Sequence, residues 1–117
     1  MTKRIKIFHN PRCSKSRQTL ELLQNSDQQP EIVEYLKTPP SKQELKDILD
    51  MLGLSPRQLM RTHEAEYKGN GLDDEKLSDD QLIDAMVSHP KLIERPIVIS
   101  NGKAAIGRPP EKVLEIL

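Results

Sequence analysis

Asn101-Gly102 constrains the fold more tightly than any other pair of residues in this chain. Both tolerate the left-handed backbone of a two-residue hairpin loop, and they separate the apolar runs 97–99 and 103–106. Two adjacent antiparallel strands near the C-terminus are therefore predicted. The N-terminal part reads differently. Over residues 4–8 charge alternates with Ile5 and Ile7 as in a short strand, Asn10-Pro11 makes a turn, and Leu20, Leu23 and Leu22 follow helical spacing within residues 14–25. Residues 31–36 make a second strand candidate, ended by Pro39 and Pro40. A strand, helix, strand start implies a parallel pair joined by a crossover.

The middle of the chain is helical. Ser41 and Glu44 give a capping-box signature, Leu45, Ile48, Leu49 and Leu52 form one apolar stripe, and Gly53 supplies the stop. Ser55-Pro56 opens a short helix running to Met60. Residues 64–84 carry eight acids against two bases and include Gly69 and Gly71, which reads as a solvated loop. It leads into a helix capped by Ser78 and Gln81 and lined by Leu82, Ile83, Met86 and Val87, which Pro90 bars from continuing. Pro109-Pro110 starts a closing helix with Val113, Leu114 and Leu117. The sum is an α/β fold: a mixed four-stranded sheet with helices on both faces, in the thioredoxin-like order, with a helical insertion between strands two and three.

At 117 residues the chain fits one domain, 1–117. Its apolar stretches fall far short of the ~20 residues that span a bilayer, and no signal-peptide region opens it, so no membrane and a cytoplasmic location are expected. A single cysteine excludes a disulfide scaffold, and without a CxxC pair or His/Cys spacing no metal is expected. Phe8, Tyr35 and Tyr67 are too few rings to stack single-stranded nucleic acid, so no nucleic-acid partner is expected. The expected state is a monomer.

The single cysteine, Cys13, lies in His9-Asn10-Pro11-Arg12-Cys13-Ser14-Lys15-Ser16-Arg17, between the first strand and the first helix. Cations and a helix N-terminus both lower a thiol pKa, and the first 17 residues hold six Lys or Arg and no acid, although the whole chain balances 18 bases with 18 acids. The positive field is local to the thiol. A lone thiol has no internal resolving partner, so a redox cycle must borrow a second sulfur. His9 can lower the thiol pKa, relay a proton, or simply end a strand. Ser16 can set its hydroxyl near the thiolate or cap the helix, and Arg17, one turn on, can donate to an anion or face solvent. Arginine forks at Arg61, Arg95 and Arg108 suit the paired oxygens of a tetrahedral oxyanion. Each has an alternative reading as surface charge. A phosphatase loop is excluded, because Thr19 stands six positions after Cys13 where that chemistry needs arginine.

Several motifs together resemble one family. Asn10-Pro11-Arg12-Cys13 with Ser16-Arg17, Tyr35-Leu36-Lys37-Thr38-Pro39-Pro40, Leu59-Met60-Arg61, Asp80-Gln81-Leu82-Ile83-Asp84, His89-Pro90, Ile93-Glu94-Arg95-Pro96-Ile97-Val98 and Gly107-Arg108-Pro109 occur in order along the chain. It is similar to the glutaredoxin-dependent arsenate reductases of the thioredoxin-like superfamily and their short relatives. The resemblance implies Cys13 as nucleophile, His9 as the nearby histidine, Arg61, Arg95 and Arg108 as oxyanion ligands, Asn10, Ser16 and Arg17 in support, and a cis bond before Pro96. It implies no bound cofactor, glutathione as co-substrate, and glutaredoxin as partner. Arg12 and Lys15 depart from the small residues of the characterised enzymes. Two alternatives share the fold: a regulator that binds RNA polymerase, whose CxxC switch is absent because Ser16 holds the second position, and a general glutathione-linked thiol reductase.

Overall fold

The computed structural model describes residues 5–26 and 29–117. Arg4, expected to begin the first strand, lies outside them. The chain forms two compact units, one from the residues up to Thr38 together with Arg95–Leu117, the other from Pro39–Glu94.

The first unit is the sheet. Strand β1 (Ile5–His9) pairs in parallel with β2 (Glu31–Glu34) and antiparallel with β3 (Ile97–Ser100), which pairs antiparallel with β4 (Lys103–Ile106), giving the order β2-β1-β3-β4. The hairpin forms as predicted: Asn101 at φ 56° and Gly102 at φ 73° make the turn that sets Ser100 opposite Lys103. Helix α1 (Ser14–Asn25) is the crossover. Ile5, Ile7, Leu23, Val98 and Val113 form the core, with Leu20, Ala105, Ile116 and Leu117 packed on it.

Three details differ from the sequence reading. Strand β2 stops at Glu34 rather than residue 36, because its partner β1 ends at His9, the residue opposite Glu34. The Glu34 carbonyl then accepts from the Lys37 and Thr38 N–H groups at 2.9 Å each, and Tyr35 turns into the interior at 1% exposure. The buried stripe of α1 is Ser16, Thr19 and Leu23, with Leu20 and Leu22 only partly buried. The closing segment Pro110–Ile116 is a 3₁₀ helix. Three residues per turn align Pro110, Val113 and Ile116, whereas Leu114 stays 42% exposed.

The second unit is helical: α2 (Lys42–Leu52), α3 (Pro56–Leu59), α4 (Ala65–Gly69), α5 (Asp79–Ser88) and a 3₁₀ turn at Pro90–Leu92. Ser41 caps α2 by accepting from the Glu44 N–H, and Ser55 with Gln58 and Ser78 with Gln81 form complete capping boxes. Helix α5 packs on α2 and α3, burying Leu45, Ile48, Leu59, Leu82, Ile83 and Met86.

The acidic stretch expected to be loop contains α4, too short and polar for periodicity to reveal. Arg57 organises it. Its guanidinium donates to the Tyr67 hydroxyl, to the Leu72 carbonyl at 2.7 Å and to the Asp74 carbonyl at 3.0 Å. Charged hydrogen bonds contribute ~1.5–3 kcal/mol, so Arg57→Ala is expected to cost about 2 kcal/mol in urea unfolding. Lys46→Ala, which loses only a surface pair to Asp80 at 3.3 Å, should change stability by less than ~1 kcal/mol.

Candidate active site

Cys13 occupies the N-cap of α1, at the C-terminal end of β1, and is 9% exposed. The turn that places it is built by Asn10. The Asn10 carbonyl accepts from the Cys13 N–H at 3.0 Å, its Oδ1 accepts from the Arg12 N–H at 3.0 Å, and its own N–H donates to Ser16 Oγ at 3.0 Å. Ser16 is fully buried, and its hydroxyl also meets His9 Nδ1 at 2.6 Å. So the Ser16 side chain ties strand end, turn and helix together rather than reaching the sulfur.

Two arginines come to the thiol. Arg108 Nη2 donates toward Cys13 Sγ at 3.9 Å, while its Nε donates to the Arg95 carbonyl at 2.8 Å. The Arg95 guanidinium interacts electrostatically with the sulfur and with the Tyr35 phenol. Burial pushes the Cys13 thiol up, but the Ser16 N–H, the Arg95 guanidinium and the Lys15 N–H together hold it below its ordinary value. No cap hydrogen bond of ordinary geometry reaches the sulfur, so the two N–H groups act on the anion as the positive end of the helix.

The other predicted residues are placed differently. Arg17 folds back, its Nη1 donating to the Pro11 carbonyl at 2.9 Å. Arg12 and Lys15 are exposed. His9 is buried beside Ser16. Desolvation lowers its pKa, Glu34 opposes that, and Arg17 adds to it, so the charged imidazolium is disfavoured. Arg61 belongs to the second unit, where Glu64 at 3.2 Å, Glu94 at 3.8 Å and His63 Nε2 at 3.1 Å surround it. The Arg95-Pro96 bond is cis, as the resemblance implies, and Arg108-Pro109 is cis as well, which the sequence reading did not anticipate. Among the described residues no group of His, Cys, Asp or Glu could hold a metal ion.

Three further residues near the site escaped the sequence reading. Tyr35 stands in a quoted motif of a chain with only two tyrosines, but nothing in its spacing links it to Arg95. Thr19 and Gly107 are the other case. A Cβ on Gly107 would clash with the Thr19 hydroxyl and come within 2.8 Å of Pro96 Cγ. The backbone that carries Arg108 therefore lies directly on α1 and on Pro96.

Comparison with known proteins agrees with this arrangement. The ArsC family model matches residues 8–116. The chain belongs to the ArsC family. It is 54% identical over 114 residues to an arsenate reductase of Neisseria meningitidis serogroup A, covering 97% of each chain. It is 58% identical over 118 residues to the uncharacterized protein YfgD of Escherichia coli (strain K12), covering 100% of this chain and 99% of that one. Among solved structures, the arsenate reductase from Vibrio cholerae superposes with a TM-score of 0.97 at 54% identity, with both chains fully covered. This ArsC chain thus has the thioredoxin-like sheet that its element order predicts.

Two stability measurements probe the construction of the site. Gly107→Ala should cost ~1–3 kcal/mol through overpacking, read as a lower urea midpoint; an unchanged midpoint would contradict the close approach. Because the folded pKa of His9 is depressed, unfolding takes up a proton in mild acid. Its contribution is full above the ordinary histidine value and is lost as pH falls below about 6.5. His9→Gln should flatten the stability profile between pH 7.5 and 5.5.

Proposed function

We propose that this ArsC family protein is a thiol-dependent oxidoreductase that reduces arsenate to arsenite with the single nucleophile Cys13. The observation that carries this reading is a cysteine sulfur at a helix N-terminus, its pKa lowered, with the Arg95 guanidinium acting on it and Arg108 Nη2 at 3.9 Å. A thiolate among guanidinium forks suits attack on a doubly charged tetrahedral anion. The arsenate reductase names of relatives at 54% identity support the same substrate. Arg61 enters as a third oxyanion ligand through the family resemblance. We read residues 1–117 as one domain. His9 enters as the histidine that holds Ser16 and the turn.

In this reading the Cys13 thiolate attacks arsenic, and one oxygen leaves as water after taking up protons. A sulfur–arsenic(V) adduct results. A glutathione thiol then attacks the Cys13 sulfur, so that two electrons pass to arsenic, arsenite leaves, and Cys13 remains joined to glutathione as a mixed disulfide. A glutaredoxin thiol takes the glutathione and frees the thiolate. The chain supplies one thiol and has no second to close an internal disulfide, which favours an external thiol. Such a cycle suits a monomer in the reducing cytoplasm. Among the described residues no helix is long and apolar enough to cross a membrane.

Glutathione-coupled reduction of arsenate, with and without glutaredoxin, tests the proposal. Cys13→Ala should abolish turnover, and retained turnover would remove the mechanism. Arg95→Ala should lower kcat/KM by roughly 10- to 100-fold, the equivalent of ~1.5–3 kcal/mol for a lost charged hydrogen bond.

A further inference from the structure

Arg12 and Lys15 are charged residues beside the nucleophile that the reaction above leaves without a role. Both are exposed, and among the described residues neither side chain makes a hydrogen bond or an ion pair. Lys6 and Lys37 of the same unit, by contrast, meet Glu31 at 3.9 Å and Glu34 at 3.8 Å. The turn fixes where the two cations start. The Arg12 N–H donates to Asn10 Oδ1 at 3.0 Å, and Lys15 sits in the first turn of α1, its carbonyl accepting from the buried Thr19 hydroxyl at 2.8 Å. One residue before Cys13 and two after it, both backbones lie within about 6 Å of the cysteine backbone, so their charges act at the sulfur across roughly one Debye length. The nearest acid along the chain is Glu21, and Arg17 adds a third cation where its guanidinium returns to the Pro11 carbonyl at 2.9 Å.

Such cations suit the second reactant rather than the first. Arg95 and Arg108 already supply guanidinium groups to the oxyanion in the reading above. The adduct that follows is still negatively charged, and the thiol that attacks it is an anion carrying further carboxylates, so like charges repel as the two sulfurs approach. Exposed cations beside Cys13 offset that repulsion and raise the encounter rate. We propose that the Arg12 and Lys15 side chains form a basic rim that docks a carboxylate-bearing thiol such as glutathione for attack on the Cys13 sulfur. The inference rests on the reading of an external thiol as reductant, and it adds how this chain recognises that thiol.

Thiol–disulfide exchange with three small disulfides of different charge tests this. In each reaction the Cys13 thiolate attacks one sulfur, the reagent's sulfur–sulfur bond breaks, a mixed disulfide forms, and the other half leaves as a thiolate. Glutathione disulfide is anionic, hydroxyethyl disulfide is neutral and cystamine is cationic. In a double variant carrying Arg12→Gln and Lys15→Gln, which keeps both backbone N–H groups, the rate with glutathione disulfide relative to the neutral reagent should fall roughly 3- to 10-fold. The relative rate with cystamine should rise. High salt should produce the same two changes in the parent protein. Unchanged relative rates in the double variant overturn the proposal. So does an equal loss with all three reagents, which reports a less reactive sulfur instead of a lost docking surface. Arsenate enters none of these rates, so this inference and the arsenate reading fail separately.

Discussion

The Cys13 sulfur at the first turn of α1, its pKa lowered by the groups around it, is the centre on which the site is organised. Burial alone would keep Cys13 protonated and inert, as it does for most core cysteines. Two features reverse that outcome: the helix start at Ser14 aims backbone N–H groups at the sulfur and Arg95 adds a guanidinium, while Arg108 Nη2 stands 3.9 Å from the same atom. The buried position of Cys13 strengthens each of these, because fewer waters screen the charge. The same desolvation that opposes the thiolate thus sharpens the groups that favour it.

Holding those groups together falls largely to residues away from the sulfur. Ser16, fully buried, accepts from the Asn10 N–H and meets His9, which fixes the angle between β1 and α1. Gly107 lets the segment carrying Arg108 lie on Thr19 and Pro96. Arg108 closes the set by bonding the Arg95 backbone. Strand ends, one turn and one helix start therefore converge on a single atom, although Cys13, Arg95 and Arg108 are widely separated in sequence.

Much of the fold was legible from local chemistry. The Asn101-Gly102 turn, the Ser41, Ser55 and Ser78 caps and the Gly53 stop act within a few residues, so they read directly from the chain. What did not read depends on distant partners. Strand β2 ends where β1 runs out of residues, α4 exists because Arg57 reaches across to Tyr67 and Leu72, and the last segment winds as a 3₁₀ helix so that Val113 and Ile116 share a face. In the site, Cys13 and its basic turn were visible as sequence, and the arginines were visible through family motifs. The Ser16 hydroxyl's choice of His9 over the thiol, the return of Arg17 to the Pro11 carbonyl, and the electrostatic interaction of Tyr35 with Arg95 were not, since each is decided by packing between elements.

The central claim is that the fold lowers the pKa of the Cys13 thiol by surrounding the sulfur with donors. With one cysteine in the chain, ultraviolet thiolate absorbance followed against pH reports that sulfur alone once a Cys13→Ala blank is subtracted. The account predicts a single transition with its midpoint below the ~8.5 of an ordinary cysteine. A midpoint at or above that value would contradict it.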